Sequence, residues 1–309
     1  MPKFDIAGHR KIWFLISLLV IIPGIICMCV RGFNFGIDFT GGTIMDLRFE
    51  QPVTLQEVRS SLAKYDLDGS TIQFAGAEAG IDASENVMIR TIDLEENQRK
   101  EVMASLTQDV GPYTVLREEK VGATIGGELI TNAVLALVIS WALIILYVAY
   151  RFEWRFGVSA VLALIHDIII VMAVFSFTQR QIDSSFIAAL LTIVGYSIND
   201  TIVIFDRIRE NRALYKREPL GETIDKSINQ TLNRSVMTSL TTLICMVPLT
   251  IMVSSSIREF VIPLMVGVLV GTYSSIFLCS PVLYDLSKND NKSKYQLGKE
   301  QKEKRKASK

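Results

Sequence analysis

FIAALLTIVGYSINDTIVIFDRIREN, residues Phe186 to Asn211, reads as an apolar helix of transmembrane length that ends in a charged cluster, Asp206, Arg207, Arg209 and Glu210. Asn199 and Asp200 interrupt its apolar part. An ionised carboxylate at the centre of a membrane helix costs about 2.5 to 3.5 kcal/mol, so a sequence that keeps one usually buries it in a bundle and uses it. Asp200 is therefore read as a proton or ion site. The alternative is a structural carboxylate capped by neighbouring hydroxyls.

Working outward, half of the 309 residues are hydrophobic and the mean hydropathy is +0.33, which points to a polytopic membrane protein rather than a soluble enzyme. Apolar runs recur at Ile12 to Val30, Leu129 to Tyr150, Phe156 to Phe177, Phe186 to Phe205, Val236 to Val253 and Phe260 to Leu283, giving six spans. The first is too long for a signal peptide and lacks a small-residue cleavage site, so an uncleaved span is expected. Lys plus Arg equals Asp plus Glu at 32 each, yet the charge is unevenly placed. Residues 31–128 hold 17 acids against 9 bases, while 21 of the 32 bases fall in the N-terminus, the segment after the second span, the stretch 206–235 and the tail. With the N-terminus inside, alternation puts those basic pieces in the cytoplasm and residues 31–128 outside, as the positive-inside rule requires. All four cysteines lie in apolar spans, which excludes a disulfide framework in the hydrophilic part, and Cys27 and Cys29 diverge on a helix, which disfavours a metal pair.

After residues 1–30, the N-terminus and first span, the hydrophilic region 31–128 opens with FNFGIDFTGG, Phe33 to Gly42. An alternating strand (Thr43 to Phe49), an amphipathic helix (Thr54 to Tyr65), strands at Thr71 to Phe74 and Val87 to Ile92, a helix at Glu95 to Gln108 and a strand at Tyr113 to Glu118 follow. The order βαββαβ is that of a ferredoxin-like α+β domain. Gly76 to Glu85 is expected as an exposed loop. Residues 129–285 carry spans two to six with a cytoplasmic connector at 206–235, whose Leu220, Ile224, Ile228 and Leu232 have the spacing of a helix lying on the membrane surface. Residues 286–309, KNDNKSKYQLGKEQKEKRKASK at their core, are too polar to pack and read as a basic, disordered tail.

Several side chains can carry chemistry. In the fifth span Arg234, Thr238 and Thr241 share a helical face, giving one polar side able to line a hydrated path. Arg234 lies within reach of Asp200, where it can gate a switchable proton site or simply anchor the span at the interface. Asn199 and Thr201 flank Asp200. His166 and Asp167 lie mid-span and can relay protons or form a hydrogen-bonded packing pair; diverging by about 100°, at most one should point squarely into the bundle while the other turns to a neighbour or a water. No P-loop, GxSxG, HExxH or CxxC occurs, and two histidines cannot make a His-based metal triad, so no enzyme, cofactor or metal is expected and an ion gradient must supply any work.

FNFGIDFTGGT after the first span, VGATIGGELITNAVLALVIS entering the second, ALIHDIII in the third and GYSINDTIVIFDRIREN in the fourth closely resemble the SecF family, the smaller of two related subunits that assist the bacterial Sec export channel. The resemblance covers all but the tail. It implies six transmembrane helices forming half of a bundle of the RND superfamily, one extracytoplasmic domain, a place in the bacterial inner membrane, and pairing with SecD. It also implies use of the proton-motive force to aid preprotein movement through SecYEG after the SecA-driven step, with YajC and YidC as further partners and no specific nucleic acid. The family's fourth-span acid falls on Asp200 and its fifth-span arginine on Arg234. Motion would pass to the outer domain through Phe33, Gly36, Asp38, Gly41 and Gly42 and through Gly126, Gly127 and Glu128. A small-molecule or lipid exporter of the RND class, or a passive scaffold, is the competing reading.

Overall fold

The computed structural model describes residues 4–74, 82–216, 218–252 and 255–287. The chain runs α1 (Arg10–Arg31), β1 (Asn34–Phe35), α2 (Ile37–Thr40), β2 (Gly42–Thr54), α3 (Leu55–Leu62), β3 (Thr71–Phe74), β4 (Ala83–Thr91), α4 (Glu96–Asp109) and β5 (Tyr113–Val121). It continues through α5 (Ala123–Arg151), α6 (Trp154–Thr178), β6 (Gln181–Ile182), α7 (Ser184–Leu214), α8 (Leu220–Met252) and α9 (Ser255–Ser274). A π turn at Ser275–Cys279 interrupts the last helix, which runs on to Ser287. Six of these helices are long and apolar enough to cross a membrane: α1, α5, α6, α7, α8 and the α9 rod. The chain is a multi-pass membrane protein.

Helices α6, α7 and α9 form the buried middle of the bundle, while α1, α5 and α8 present apolar side chains such as Leu19, Leu146 and Ile251 outward. The α7–α9 crossing is close because α9 offers glycines: a Cβ on Gly267 would stand 2.3 Å from the Ile193 side chain, and one on Gly271 3.0 Å from Ser197. Small residues let two membrane helices approach and gain dispersion contacts over their length. At the other end of α7, Phe205 packs edge-on against Phe156 with ring centroids 4.8 Å apart.

The stretch expected as a surface connector is helical hairpin instead. α7 continues to Leu214, α8 begins at Leu220, and α8 runs unbroken into the fifth span. Leu220, Ile224 and Ile228 are 5, 0 and 0% exposed because the N-terminal segment supplies a protein partner for their stripe. Ile6 packs in the same cluster, and Asp225 Oδ1 accepts the backbone N–H groups of Ile6 and Ala7 at 2.9 and 2.8 Å.

In the hydrophilic region the element order is βαββαβ, and the sheet is antiparallel in the order β3-β4-β2-β5. Met45, Leu47, Phe49, Val87 and Ile89 meet Val58, Leu62, Val102 and Leu106 from α3 and α4. β2 runs to Thr54, beyond the expected end at Phe49, and its pairing with β4 shifts register between Arg48 and Val53, around Pro52, which has no N–H to give to a ladder. Ala83 to Glu85, expected in a loop, belong to β4; residues 75–81 of that loop and the tail from 288 lie outside the described residues. Thr54 and Glu57 close a capping box at the start of α3, with Thr54 N donating to Glu57 Oε2 at 2.8 Å.

Asp109 joins the two helices of this domain. It accepts from Lys64 Nζ at 2.7 Å, Ser105 Oγ at 2.8 Å and Ser61 Oγ at 2.9 Å. Lys64 and the two hydroxyls hold its carboxyl down at about 2. A group depressed on folding adds stability above its unfolded value and loses it as the pH falls through the folded one. Asp109→Asn should therefore speed amide exchange in α3 and α4 at neutral pH, with the difference from wild type fading as the pH is lowered towards 2. A difference that stays constant down to that pH would show that Asp109 acts without its charge.

Candidate functional site

Asp200 lies on α7 and is 4% exposed. Its Oδ2 has no hydrogen-bond partner among the described residues. The side chains that act on it electrostatically, Ser235 and Arg234, both come from the next helix, α8. Arg234 itself is exposed, as are Asn199 and Thr241, while Thr238 is half-buried. Thr238 and Thr241 turn their hydroxyls back onto α8, donating to the carbonyls of Arg234 and Met237 at 2.8 and 3.0 Å. On the inward side of α8, Ser239 bonds Thr272 of α9 at 2.5 Å, and Tyr196 of α7 reaches Thr242 at 3.3 Å. α8 is thus seated on α7 and α9 by one side and leaves Arg234 and Thr241 on a side that the described residues do not cover.

Thr201 does not join this face. One residue on from Asp200, it turns to α9 and lies 2.9 Å from Ser275 Oγ. His166 and Asp167 form a separate cluster, and the structure buries both, at 4 and 0% exposed, with Asp167 turned to α7 and α9 and His166 to a neighbouring ring, the divergence expected of adjacent residues. Both are buried because α6 has protein on two sides. Asp167 turns towards α7 and α9, accepting from Ser197 Oγ at 2.7 Å and Ser274 Oγ at 2.8 Å through Oδ2. The His166 ring lies beside Tyr273, centroids 6.0 Å apart, and Tyr273 in turn bonds the Trp13 carbonyl of α1 at 3.1 Å.

The linker residues cluster around the start of α7. β1 pairs in parallel with β6, Asn34 with Gln181 and Phe35 with Ile182, and Gly36 N donates to the Ile182 carbonyl at 2.7 Å. Asp38 Oδ2 accepts the Ser184 N–H at 2.8 Å and its hydroxyl at 2.5 Å, adding an acceptor from a distant segment to the Asp183 side chain that already caps α7. Phe33 packs with Phe39 in the cluster formed by α6 and α7. Gly41 (φ 71) ends α2, and Gly42 (φ 130) starts β2 where a Cβ would stand 2.4 Å from the Thr91 carbonyl. Gly126 lets α5 lie against α2: a Cβ there would be 2.6 Å from the Phe39 carbonyl oxygen. Gly127 and Glu128 are exposed on the far side of that turn of α5.

Sequence reasoning missed the β1–β6 pair and a polar joint beside it. Arg90 of β4 hydrogen-bonds Gln181 of β6, and Arg90 also feels Asp46, Asp183 and Glu259. Burial pushes the Asp46 carboxyl up, opposed by Arg117 and Arg90, and lowers Arg90. Two-residue strands give no periodicity to read, and Arg90 looks like any polar strand position until its neighbour across the chain is known.

Known families match this chain over the same residues. The model of Protein export membrane protein SecD/SecF, C-terminal, covers residues 102–289, which hold Asp167, Asp200 and Arg234, and the SecD/SecF GG motif covers residues 28–53, which hold Phe33 to Gly42. Protein translocase subunit SecF of Acidaminococcus fermentans is 47% identical over 279 residues, covering 90% of this chain and 95% of the relative. That of Haemophilus influenzae is 39% identical over 287 residues, covering 92 and 86%. A crystal structure of SecDF, a translocon-associated membrane protein from Thermus thermophilus, superposes with a TM-score of 0.84 at 39% identity and covers 93% of this chain, which spans 39% of that longer one. The shared motifs, the matched span order and the identity along nearly the whole of the SecF relatives place the chain in the SecD/SecF family of protein export membrane proteins.

Proposed function

We propose that this chain is a SecF-type accessory subunit of protein export, which pairs with a SecD-like subunit and uses the proton-motive force to promote preprotein movement through SecYEG. The observation that carries the reading is Asp200: a buried carboxyl with one oxygen unbonded, set against an α8 whose Arg234 side lies uncovered. A polar helix face cannot be left to lipid, so a second bundle has to close it. The Thermus thermophilus relative, a single SecDF chain of which this one matches 38%, supports a SecD-like bundle as that wall. The Lys/Arg bias supports an orientation with both termini in the cytoplasm and residues 31–128 outside, and residence in the bacterial inner membrane rests on the family resemblance. Contacts to YajC and YidC rest on the family resemblance alone.

Charge on Asp200 favours an approach of Arg234, and a proton on it removes that attraction, so α7 and α8 have two packings set by one proton. α7 carries the change outward. Its first residue is held by Asp38, and the strand pair before it is continuous with the linker into β2, so a tilt or shift of α7 pulls directly on the outer domain. Preprotein released outside would meet that moving domain.

Asp200→Asn keeps size and hydrogen bonding but removes the titrating proton. In membranes with the partner subunit present, it should leave ATP-driven insertion intact and reduce the gradient-dependent part of export by about tenfold or more, the scale of losing a proton-transfer group. Export and gradient dependence equal to wild type would reduce the subunit to a scaffold. Asp38→Ala removes an acceptor from the α7 N-terminus; a cap is worth about 1 kcal/mol, so exchange of the amides at Ser184 to Phe186 should accelerate roughly fivefold. Gradient-driven export should fall with it while Asp200 is unchanged, and normal export with a frayed α7 start would break the proposed route.

A further inference from the structure

We infer that His166 and Asp167 form a second buried proton-binding site, distinct from Asp200, with Nε2 of His166 as the atom that gains and loses the proton. Nδ1 of His166 faces Asp167 Oδ1 at 3.1 Å. Oδ2 of the same carboxylate is filled by two hydroxyls, from Ser197 and Ser274. An acceptor in that position fixes a proton on Nδ1, which leaves Nε2 as the variable nitrogen. Nε2 is buried and bonds nothing among the described residues.

Charge balance makes that nitrogen more than a packing detail. The groups that interact with Asp167 are His166, Ser197 and Ser274, and no Lys or Arg is among them. From the surrounding elements, α1 presents Trp13 and Ser17, α5 presents Trp141 and Ile144, α7 presents Ser197, and the α9 rod presents Tyr273, Ser274 and Cys279; none of these carries a permanent charge. With Asp167 ionised, a proton on Nε2 turns a lone buried carboxylate into a neutral pair. The proton arrives from water and leaves to water, with no bond other than N–H made or broken.

The helix geometry around the pair is adapted to hold it. The π turn Ser275–Cys279 opens α9 directly after Ser274, a local distortion that is frequent at functional sites. Ser274 and Ser275 are both buried, at 0 and 1% exposed, and diverge: Ser274 takes Asp167, while Ser275 lies against Thr201 and donates to the Ser197 carbonyl at 3.3 Å. The hydrogen-bonded network that starts at His166 therefore ends one residue from Asp200. On its other side Tyr273 lies 3.3 Å from Ser17 of α1, the helix that leads into Phe33. A proton on His166 would bias the packing of α6 against α9 and α1, where a proton on Asp200 acts on α8.

A role for this site in export rests on the proton-coupled reading above, but its proton binding can be read without export. The chain has two histidines, so His9→Gln leaves His166 as the sole imidazole. Solid-state nitrogen NMR of the full chain, labelled at histidine in lipid bilayers, should show a single-proton imidazole protonated at Nδ1 at high pH. On acidification a doubly protonated form should appear beside it. Adding Asp167→Asn should cut the doubly protonated population at least tenfold at the same pH, because its counter-charge is gone. Ser274→Ala, which keeps both titrating groups, should retain it. Absence of the doubly protonated form at every pH, its persistence in Asp167→Asn, or equal loss in Ser274→Ala would each overturn the site, and none of these outcomes bears on whether Asp200→Asn uncouples export.

Discussion

Hydrocarbon offers no hydrogen bonds, so each carboxyl carried on a membrane helix must find its partners within protein. Two such carboxyls, Asp167 on α6 and Asp200 on α7, set the internal order of this bundle. Asp167 is answered by hydroxyls from α7 and α9, which fixes those helices around α6, and glycines at 267 and 271 bring α9 close enough to α7 for Ser197 and Ser274 to reach the same oxygen. Replacing either glycine with a larger residue would open that crossing and strand the carboxylate. The buried middle of the bundle is therefore a consequence of polar satisfaction as much as of apolar packing.

Asp200 is handled differently. Its neighbours are one serine and one arginine from α8, one of its oxygens is unbonded, and the arginine sits on an uncovered side. The contrast separates a saturated acid from an unsaturated one. The saturated Oδ2 of Asp167 holds α7 and α9 against α6 and leaves any change there to the open Nε2 of His166, whereas at Asp200 the open valence lies on the acid itself, with a cation on the next helix. Under the proposed function, a bundle from a SecD-like partner would supply the missing wall and, with it, a route for protons.

The fold was legible in the sequence where the signal was a property of a long window. Six hydropathy runs, the acidic outer region and the βαββαβ periodicities all reappear as elements. What escaped was pairwise. The stripe of Leu220, Ile224 and Ile228 reads identically whether lipid or protein lies beneath it, and only the N-terminal segment around Ile6, more than two hundred residues away, decides the matter. Asp200 and Arg234 stand out in the sequence because an acid and a base in a membrane span are rare, whereas Ser274 and Ser275 are lost among ordinary small residues. For His166 and Asp167 the angular argument gave two diverging directions, and a helix flanked on two sides buries both of them.

The same distinction explains how a proton can move a domain. α7 is a continuous helix from Ser184 to Leu214, and sixteen residues separate its first residue from Asp200, a rod of about 24 Å. A helix of that length transmits a tilt with little loss, provided that its far end is gripped. Asp38 and the β1–β6 pair grip it from the linker side, and Arg90 reaches Gln181 in the same loop from the outer sheet. These are directional hydrogen bonds on short, glycine-bounded segments, stiff enough to pass a displacement and short enough to pivot at Gly41 and Gly42, where the backbone already occupies positive φ. A greasy contact at this joint would slide; under the proposed function, a directional one would pass a change in helix packing at Asp200 on to β2, a central strand of the four-stranded sheet.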